Sequence, residues 1–337
     1  MKALVCRKPG ELIFEDRPAP GPPGAGWVLV SISHVGICGT DYHIFEGKHP
    51  YLAYPRIMGH ELAGTVTAVG EGVTIEVGER VVVNPYFACG KCIACRHGKP
   101  NCCVSIEVLG VHRDGGMCEE LLVPAGNLYP VAGLTLVHAA AVEFLAIGAH
   151  AVRRSRLTAG ARTLVIGAGP IGLGTALFAR IAGQAVTIMD TSRERLDFAE
   201  SQLGFPVIES VSVSPVDLVR ERTGGDCFDL VFDATGSKAS IQAAFGYVAH
   251  GGALIMVSVV KDEISFSDPE FHKREMMIIG SRNALRVDFD HVMAAMHDGA
   301  IPVDKLITHH TTLQNSPRDI PRWAYQKSGL IKAVIAF

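Results

Sequence analysis

The chain is poor in charge and in aromatic rings. Of its 337 residues, 19% are charged, 7% are aromatic and only two are tryptophan. It has no basic excess: 31 Lys and Arg stand against 34 Asp and Glu, a net charge of −3. That balance gives no electrostatic footprint for nucleic acid or for an anionic membrane, and neither is expected as a partner. Long apolar runs are missing too. Leu121–Val142 lacks Asp, Glu, Lys and Arg, but Pro124, Asn127, Pro130 and His138 interrupt it, so it does not read as a spanning helix. The opening Met1-Lys2-Ala3-Leu4-Val5-Cys6-Arg7 lacks the apolar core of a secretory signal, and a cytoplasmic location is expected. No internal repeat or low-complexity tract is visible. The 36 glycines follow no three-residue period, which excludes collagen.

What is present is the material of a folded chain. A hydrophobic content of 48% excludes an intrinsically disordered chain. A chain of this length buries about three quarters of its unfolded surface and needs no disulfide frame to hold a core. The nine cysteines therefore point to metal or reactive thiols. Length alone suggests about two domains.

The rhythm of the sequence changes along the chain. Short β-branched runs between turn residues, at 26–33, 64–69 and 80–83, suggest an irregular β-rich domain. From about residue 161, apolar strands (Thr163–Ile166, Ala185–Met189, Asp229–Phe232, Ala253–Val257) alternate with helical segments. These include the run to about Ala182, Arg193–Leu203 and a helix opened by Ser214-Pro215-Val216-Asp217. That alternation predicts a parallel sheet covered on both faces. After about residue 284 the pattern is mixed again, with a helix near 288–298 and a final apolar run, Leu330–Phe337.

Two constellations carry metal chemistry. Cys89-x2-Cys92-x2-Cys95-x7-Cys103 offers four thiolates in a tight loop, with Gly90, Gly98 and Pro100 supplying turns. Four such ligands close a tetrahedral zinc site, so this site is structural. An iron–sulfur cluster is the minor alternative, and the adjacent Cys102 competes for the fourth position. Upstream, Cys38-Gly39-Thr40-Asp41-Tyr42-His43 and Gly59-His60-Glu61 are each weak signals. Together they bring thiolate, imidazole and carboxylate donors, the mixture of a catalytic zinc that keeps one position open.

Gly167-Ala168-Gly169-Pro170-Ile171-Gly172 follows a predicted strand and opens a helix. The first glycine makes the turn, the second admits a pyrophosphate and the third lets helix and strand pack closely. The helix N-terminus presents free N–H groups to phosphate. Asp190 ends the next strand, where a carboxylate accepts ribose hydroxyls and repels a 2′-phosphate. Arg193 and Arg195 lie nearby and could soften that exclusion.

With these motifs, and with Asp233-Ala234-Thr235-Gly236, the chain resembles the zinc-dependent medium-chain alcohol and polyol dehydrogenases over essentially its whole length. The resemblance implies an α/β protein with a split GroES-like, β-rich catalytic domain and a Rossmann doubly wound parallel sheet. The expected boundaries are 1–150 for the catalytic domain, with its zinc lobe at 86–104, 151–284 for the NAD-binding domain and 285–337 for the return. It implies two zinc ions per chain, NAD as cofactor and a homodimer or homotetramer. Cys38 and His60 should bind the catalytic zinc, with Glu61 a direct or alternating ligand. The third position falls on Glu143, as in the sorbitol and threonine dehydrogenase branch. Thr40 and His43 match the proton relay. Gly167, Gly169, Ile171, Gly172, Asp190 and Arg195 match dinucleotide contacts, while Val257, Val259, Ser281 and Asn283 match the nicotinamide lining. Ser258 stands where the family often has glycine. Cys6, Cys118 and Cys227 match no motif and read as buried thiols.

Within that branch the segments at 38–45, 109–116 and 280–283 most resemble sugar-acid dehydrogenases that oxidise the C5 hydroxyl of aldonates such as gulonate or galactonate. A distant carboxylate on such a substrate calls for a guanidinium. Arg282 is the candidate partner, with Arg286 a turn away, and Glu143 and Asn283 would receive neighbouring hydroxyls. The alternatives are a sorbitol- or xylitol-type polyol dehydrogenase, a threonine dehydrogenase, a zinc-free quinone reductase and a non-catalytic binding or structural member of the family.

Overall fold

Alternating β-branched and small residues make Trp27–Ile37 a long strand whose Val28, Val30 and Ile32 face inward while Trp27, Leu29 and Ser31 are partly exposed. Along one edge it pairs antiparallel with Glu61–Val69. Along the other, Glu120–Pro124 takes its first half and Lys332–Ala336 its second. A register shift between Ile32 and His34 ends the alternation, so Val35, Gly36 and Ile37 are all buried as the strand runs toward Cys38. The computed structural model describes residues 1–49, 52–131, 133–156, 159–211 and 215–337.

This strand is the spine of a mixed seven-stranded sheet in the first of two compact units, Met1–Glu143 with Leu285–Phe337. Lys2–Lys8 and Glu11–Asp16 add an antiparallel hairpin, which also pairs with Arg56–Ile57. Val30, Val35, Leu62, Val81 and Ile335 anchor one contiguous core.

The second unit is Phe144–Ala284. The change of unit thus falls inside the helix Val142–Arg154, and residues 144–150 lie with the second unit, not with the first as expected. The sequence reading placed the boundary at a change of rhythm and missed this helix. Six strands, all parallel, lie in the order Val207–Glu209, Ala185–Asp190, Arg162–Ile166, Phe228–Asp233, Val248–Met256, Met277–Gly280. Their near-continuous apolar character reflects burial on both faces, here by Leu164, Val165, Val231, Phe232 and Leu254. The strand order reverses at Arg162–Ile166, where doubly wound sheets open a crevice at the carboxyl ends of the strands. Helix Arg193–Leu203 is capped by Ser192, whose hydroxyl accepts the Arg195 N–H, and stops at Gly204 with φ 71°. Helix Pro215–Thr223 begins as expected at its proline, while the expected cap Ser214 lies outside the described residues. Among the described residues, no helix is long and apolar enough to cross a membrane.

Candidate active site

The buried strand end delivers Cys38 as the N-cap of helix Gly39–Phe45. Asp41, in the first turn, is buried and reaches back: Oδ2 accepts the Cys38 N–H at 2.9 Å and Oδ1 the Gly59 N–H at 3.3 Å. One carboxylate therefore ties together the loops carrying Cys38 and His60. Glu61 opens the neighbouring strand directly opposite Gly36. The absent side chain at 36 is the space the glutamate occupies, since a Cβ there would lie 2.1 Å from Glu61 Oε2. The ligand atoms of Cys38, His60 and Glu61 lie within 4.8 Å of one another.

Two further side chains complete this centre. Lys332, buried in the C-terminal strand, places Nζ 2.6 and 2.8 Å from the two oxygens of Glu61 and 3.1 Å from the Ile37 carbonyl. Glu143, buried at the start of helix Val142–Arg154, accepts a hydrogen bond at Oε1 from the hydroxyl of Tyr86. It stands outside the group formed by Cys38, His60 and Glu61.

Burial and charge set the protonation of the cluster. Burial alone would pull His60 down, but the Cys38 sulfur and the Asp41 and Glu143 carboxylates outweigh it and raise the imidazole well above its ordinary range. Burial pushes the Glu143 carboxyl up, against the charge of His60. Burial also pushes the Asp41 carboxyl up, again opposed by His60. A thiol, an imidazole whose Nδ1 has no hydrogen-bond partner among the described residues, and two buried carboxylates form a mixed sulfur, nitrogen and oxygen donor set. Soft sulfur with imidazole and carboxylate suits zinc.

Thr40 is the second residue of that helix, its Oγ1 3.7 Å from Cys38 Sγ. His43 follows on the same helical side and is exposed. Partial burial draws its pKa below the ordinary value, helped by Lys327 and Lys48 and opposed by Glu46.

The four-cysteine lobe forms on a two-stranded pairing of Tyr86–Phe87 with Glu107–Val108 and a one-turn helix, Ile93–Arg96. Sulfur–sulfur distances are 3.5 Å for Cys92–Cys95 and 3.9 Å for Cys92–Cys103. A tetrahedral zinc with bonds of about 2.3 Å needs sulfurs about 3.8 Å apart, so the lobe fits the ion. Backbone N–H groups of Cys95 and Val104 pull Cys92 down to about 6, into the thiolate range. Cys102 is exposed while Cys103 is buried among the other sulfurs, which assigns the fourth position to Cys103. Cys6, Cys118 and Cys227 are buried thiols that belong to no metal-ligand cluster among the described residues.

In the second unit, the glycine turn lies between strand Arg162–Ile166 and helix Pro170–Ile181. A Cβ on residue 172 would lie 1.7 Å from the Gly167 carbonyl oxygen, so only glycine fits. At Gly169 the nearest such atom is Arg195 Nη1 at 3.9 Å, leaving open space beside a guanidinium. Asp190 accepts the Ala168 N–H at 2.6 Å and the Ser192 N–H at 2.8 Å, so it also braces the turn. Open space at the second glycine, a helix N-terminus and a nearby guanidinium fit a dinucleotide pyrophosphate. Ser258 accepts the Gly236 N–H at 2.9 Å, a bond a glycine could not make. Val257 and Ser281 are buried, Ser281 Oγ has no partner among the described residues, Asn283 has φ 52°, and Val259 is 85% exposed. Arg282 is exposed; Arg286 pairs with Asp290 at 2.9 Å and lies over the Tyr129 ring.

Comparison with known proteins agrees with this geometry. Residues 24–133 match the alcohol dehydrogenase GroES-like domain and residues 170–298 the zinc-binding dehydrogenase family. L-galactonate-5-dehydrogenase of Escherichia coli K12 is 40% identical over 338 residues, covering 100% of this chain and 99% of that protein. Sorbitol dehydrogenase of Halalkalibacterium halodurans is 30% identical over 93% of each. The alcohol dehydrogenase rspB of E. coli CFT073, solved with cofactor NADH, superposes with a TM-score of 0.93 at 31% identity, over 100% of this chain and 99% of that one. The chain belongs to the zinc-binding alcohol dehydrogenase family and combines a GroES-like with a Rossmann-type unit. It is an oxidoreductase whose cofactors are zinc and a nicotinamide dinucleotide.

The sequence reading missed Lys332, Tyr86 and the bridging role of Asp41. Lys332 did carry a signal: one cation inside the apolar run 330–337 demands a buried partner.

Proposed function

We propose that the enzyme oxidises the C5 hydroxyl of an aldonate of the gulonate or galactonate type to a ketone, with NAD as hydride acceptor. The observation that carries this is full-length similarity, at 40% identity, to an L-galactonate-5-dehydrogenase. A 2-dehydro-3-deoxy-L-galactonate 5-dehydrogenase of Pseudoalteromonas atlantica, 32% identical over 85% of this chain, points to the same position of oxidation.

Cys38, His60 and Glu143 would hold the catalytic zinc, with Glu61 beside it, and Cys89, Cys92, Cys95 and Cys103 the structural one. Bound zinc and nicotinamide supply Lewis-acid and hydride-accepting chemistry. The chain's own residues handle the proton: the Thr40 hydroxyl takes it from the substrate and His43, neutral at physiological pH, receives it at the exposed end. Gly167, Gly169, Ile171, Gly172 and Arg195 would seat the pyrophosphate and Asp190 the adenosine ribose. Val257, Val259, Ser281 and Asn283 would line the nicotinamide. Arg282 would pair with the substrate carboxylate.

A sorbitol-type reading is the one to test against, because sorbitol dehydrogenase and D-xylulose reductases are related at 30–31% identity. Comparing kcat/KM for an aldonate and for the neutral polyol of the same stereochemistry separates the two. The exposed edge strand Met277–Gly280, with Met277 52% and Ile278 36% exposed, supports pairing of two chains in a homodimer or a tetramer built from it. Nine cysteines with no disulfide among the described residues, five of them in the two metal sites, support a reducing, cytoplasmic setting.

A further inference from the structure

The loop that carries Tyr86 is held with unusual completeness for a residue assigned no function so far. Its N–H donates to Asn84 Oδ1 at 3.1 Å, and its carbonyl accepts from Asn127 Nδ2 at 3.1 Å. Asn84 is itself fixed: its Nδ2 donates to the Tyr129 hydroxyl at 2.8 Å, and its carbonyl accepts from the same Asn127 amide at 2.8 Å. Tyr86 also pairs with Val108 in the short ladder leading into the cysteine lobe. All this rigidity converges on one hydroxyl, which is buried and whose partner is the carboxylate of Glu143. That carboxylate follows three residues after Ala140, whose carbonyl lies against Gly36 together with Glu61: a Cβ at residue 36 would be 2.9 Å from the Ala140 oxygen and 2.1 Å from Glu61 Oε2.

A carboxylate on a helix N-terminus has rotamer freedom that costs entropy to remove when it meets a cation. A donor fixed from outside the ligand set removes that freedom in advance and leaves the second oxygen for the metal. Glu61 is held by Lys332, and Glu143 is held by Tyr86; the two carboxylates of the centre have separate anchors. We propose that Tyr86 is a positioning residue of the labile metal centre: its hydroxyl orients Glu143, and through Glu143 it sets how tightly the centre retains its ion. This rests on the reading of Cys38, His60 and Glu143 as that centre.

The test is zinc retention, measured without reference to turnover. Parent holoenzyme and Tyr86→Phe are dialysed against graded chelator, and the zinc remaining per chain is counted. The expected result is that the chelator-labile zinc of Tyr86→Phe is about 10–100-fold less tightly held, while the four-cysteine zinc is kept. In a Glu143→Ala background the same substitution should change nothing. Asn84→Ala, which loosens the loop without touching the ring, should weaken the labile zinc in the same direction, and it stands in if Tyr86→Phe does not fold. Retention equal to or tighter than the parent's in both Tyr86→Phe and Asn84→Ala overturns the proposal. So does an effect of Tyr86→Phe that persists undiminished without Glu143, which would mark a merely structural ring. A parent enzyme with no chelator-labile zinc would instead refute the reading of the centre itself.

Discussion

Lys332 and Glu61 form a fully buried ion pair: Nζ lies 2.6 Å from one carboxylate oxygen and 2.8 Å from the other, and the side chains are 2% and 0% exposed. The partners stand 271 residues apart, so the C-terminal strand closes the centre begun at Cys38. Burial alone would lower the lysine, but Glu61 and then Cys38 raise its pKa above the ordinary range. The cation is therefore intact at neutral pH, and its contribution is lost only as pH rises through that raised value. Lys332→Met should destabilise the protein by about 3–5 kcal/mol, because it strands a buried carboxylate. Adding Glu61→Gln should recover part of the loss. Denaturant midpoints check both, and an unchanged midpoint for Lys332→Met would show that the pair contributes nothing.

The two metal sites should differ in lability. Four thiolates around one ion, with Cys92 already drawn toward the thiolate form, should survive mild chelation, whereas the open centre empties first. Zinc counting should find two ions per chain before treatment and about one after it, with activity lost. Cys92→Ser should lower the count by one and lower thermal stability. Full activity at one zinc or none would contradict this.

Asp190 serves two purposes, and its substitution should have two signatures. Its carboxylate would clash with a 2′-phosphate, giving NAD at least a roughly tenfold preference over NADP, about 1.4 kcal/mol. It also accepts the Ala168 and Ser192 N–H groups that shape the glycine turn. Asp190→Ala should therefore narrow the cofactor gap while weakening both dinucleotides, as read from cofactor titrations. Equal kcat/KM for NAD and NADP in the parent would refute the assignment.

Because burial, aided by Lys327 and Lys48, lowers the pKa of His43, its neutral, proton-accepting form prevails at and above neutrality. Alcohol oxidation should fall only as pH drops through a value below that of ordinary histidine. His43→Ala should slow turnover modestly, since water can replace an exposed relay member, and should remove or shift that acid limb. A pH–rate profile identical to the parent's would exclude His43 from the relay.

Much of this was legible because the chemistry is local. The glycine turn, the four cysteines and the Cys38-to-His43 motif are short segments whose residues and spacing announce their chemistry, and Arg193–Leu203 carries both its cap and its stop. Helix Val142–Arg154 was not legible, because alanines rather than a capping side chain precede it and it follows another short helix, Leu136–Ala139, without a break in pattern. Nor were the anchors of the metal centre. Tyr86 meets Glu143 across 57 residues and Lys332 meets Glu61 across 271; the first pair is joined by the packing of a helix on a short strand, the second by two strands that flank Trp27–Ile37. Asp41 stood within the quoted motif, yet its bridge to Gly59 depends on where the next strand begins.

The most direct test is steady-state NADH formation by the parent enzyme and by Arg282→Ala, comparing galactonate or gulonate with the neutral polyol of matching stereochemistry. The account predicts a clear preference for the acid in kcat/KM and a fall in that ratio when Arg282 is removed. Equal use of acid and neutral polyol, with a ratio unmoved by Arg282→Ala, would contradict it.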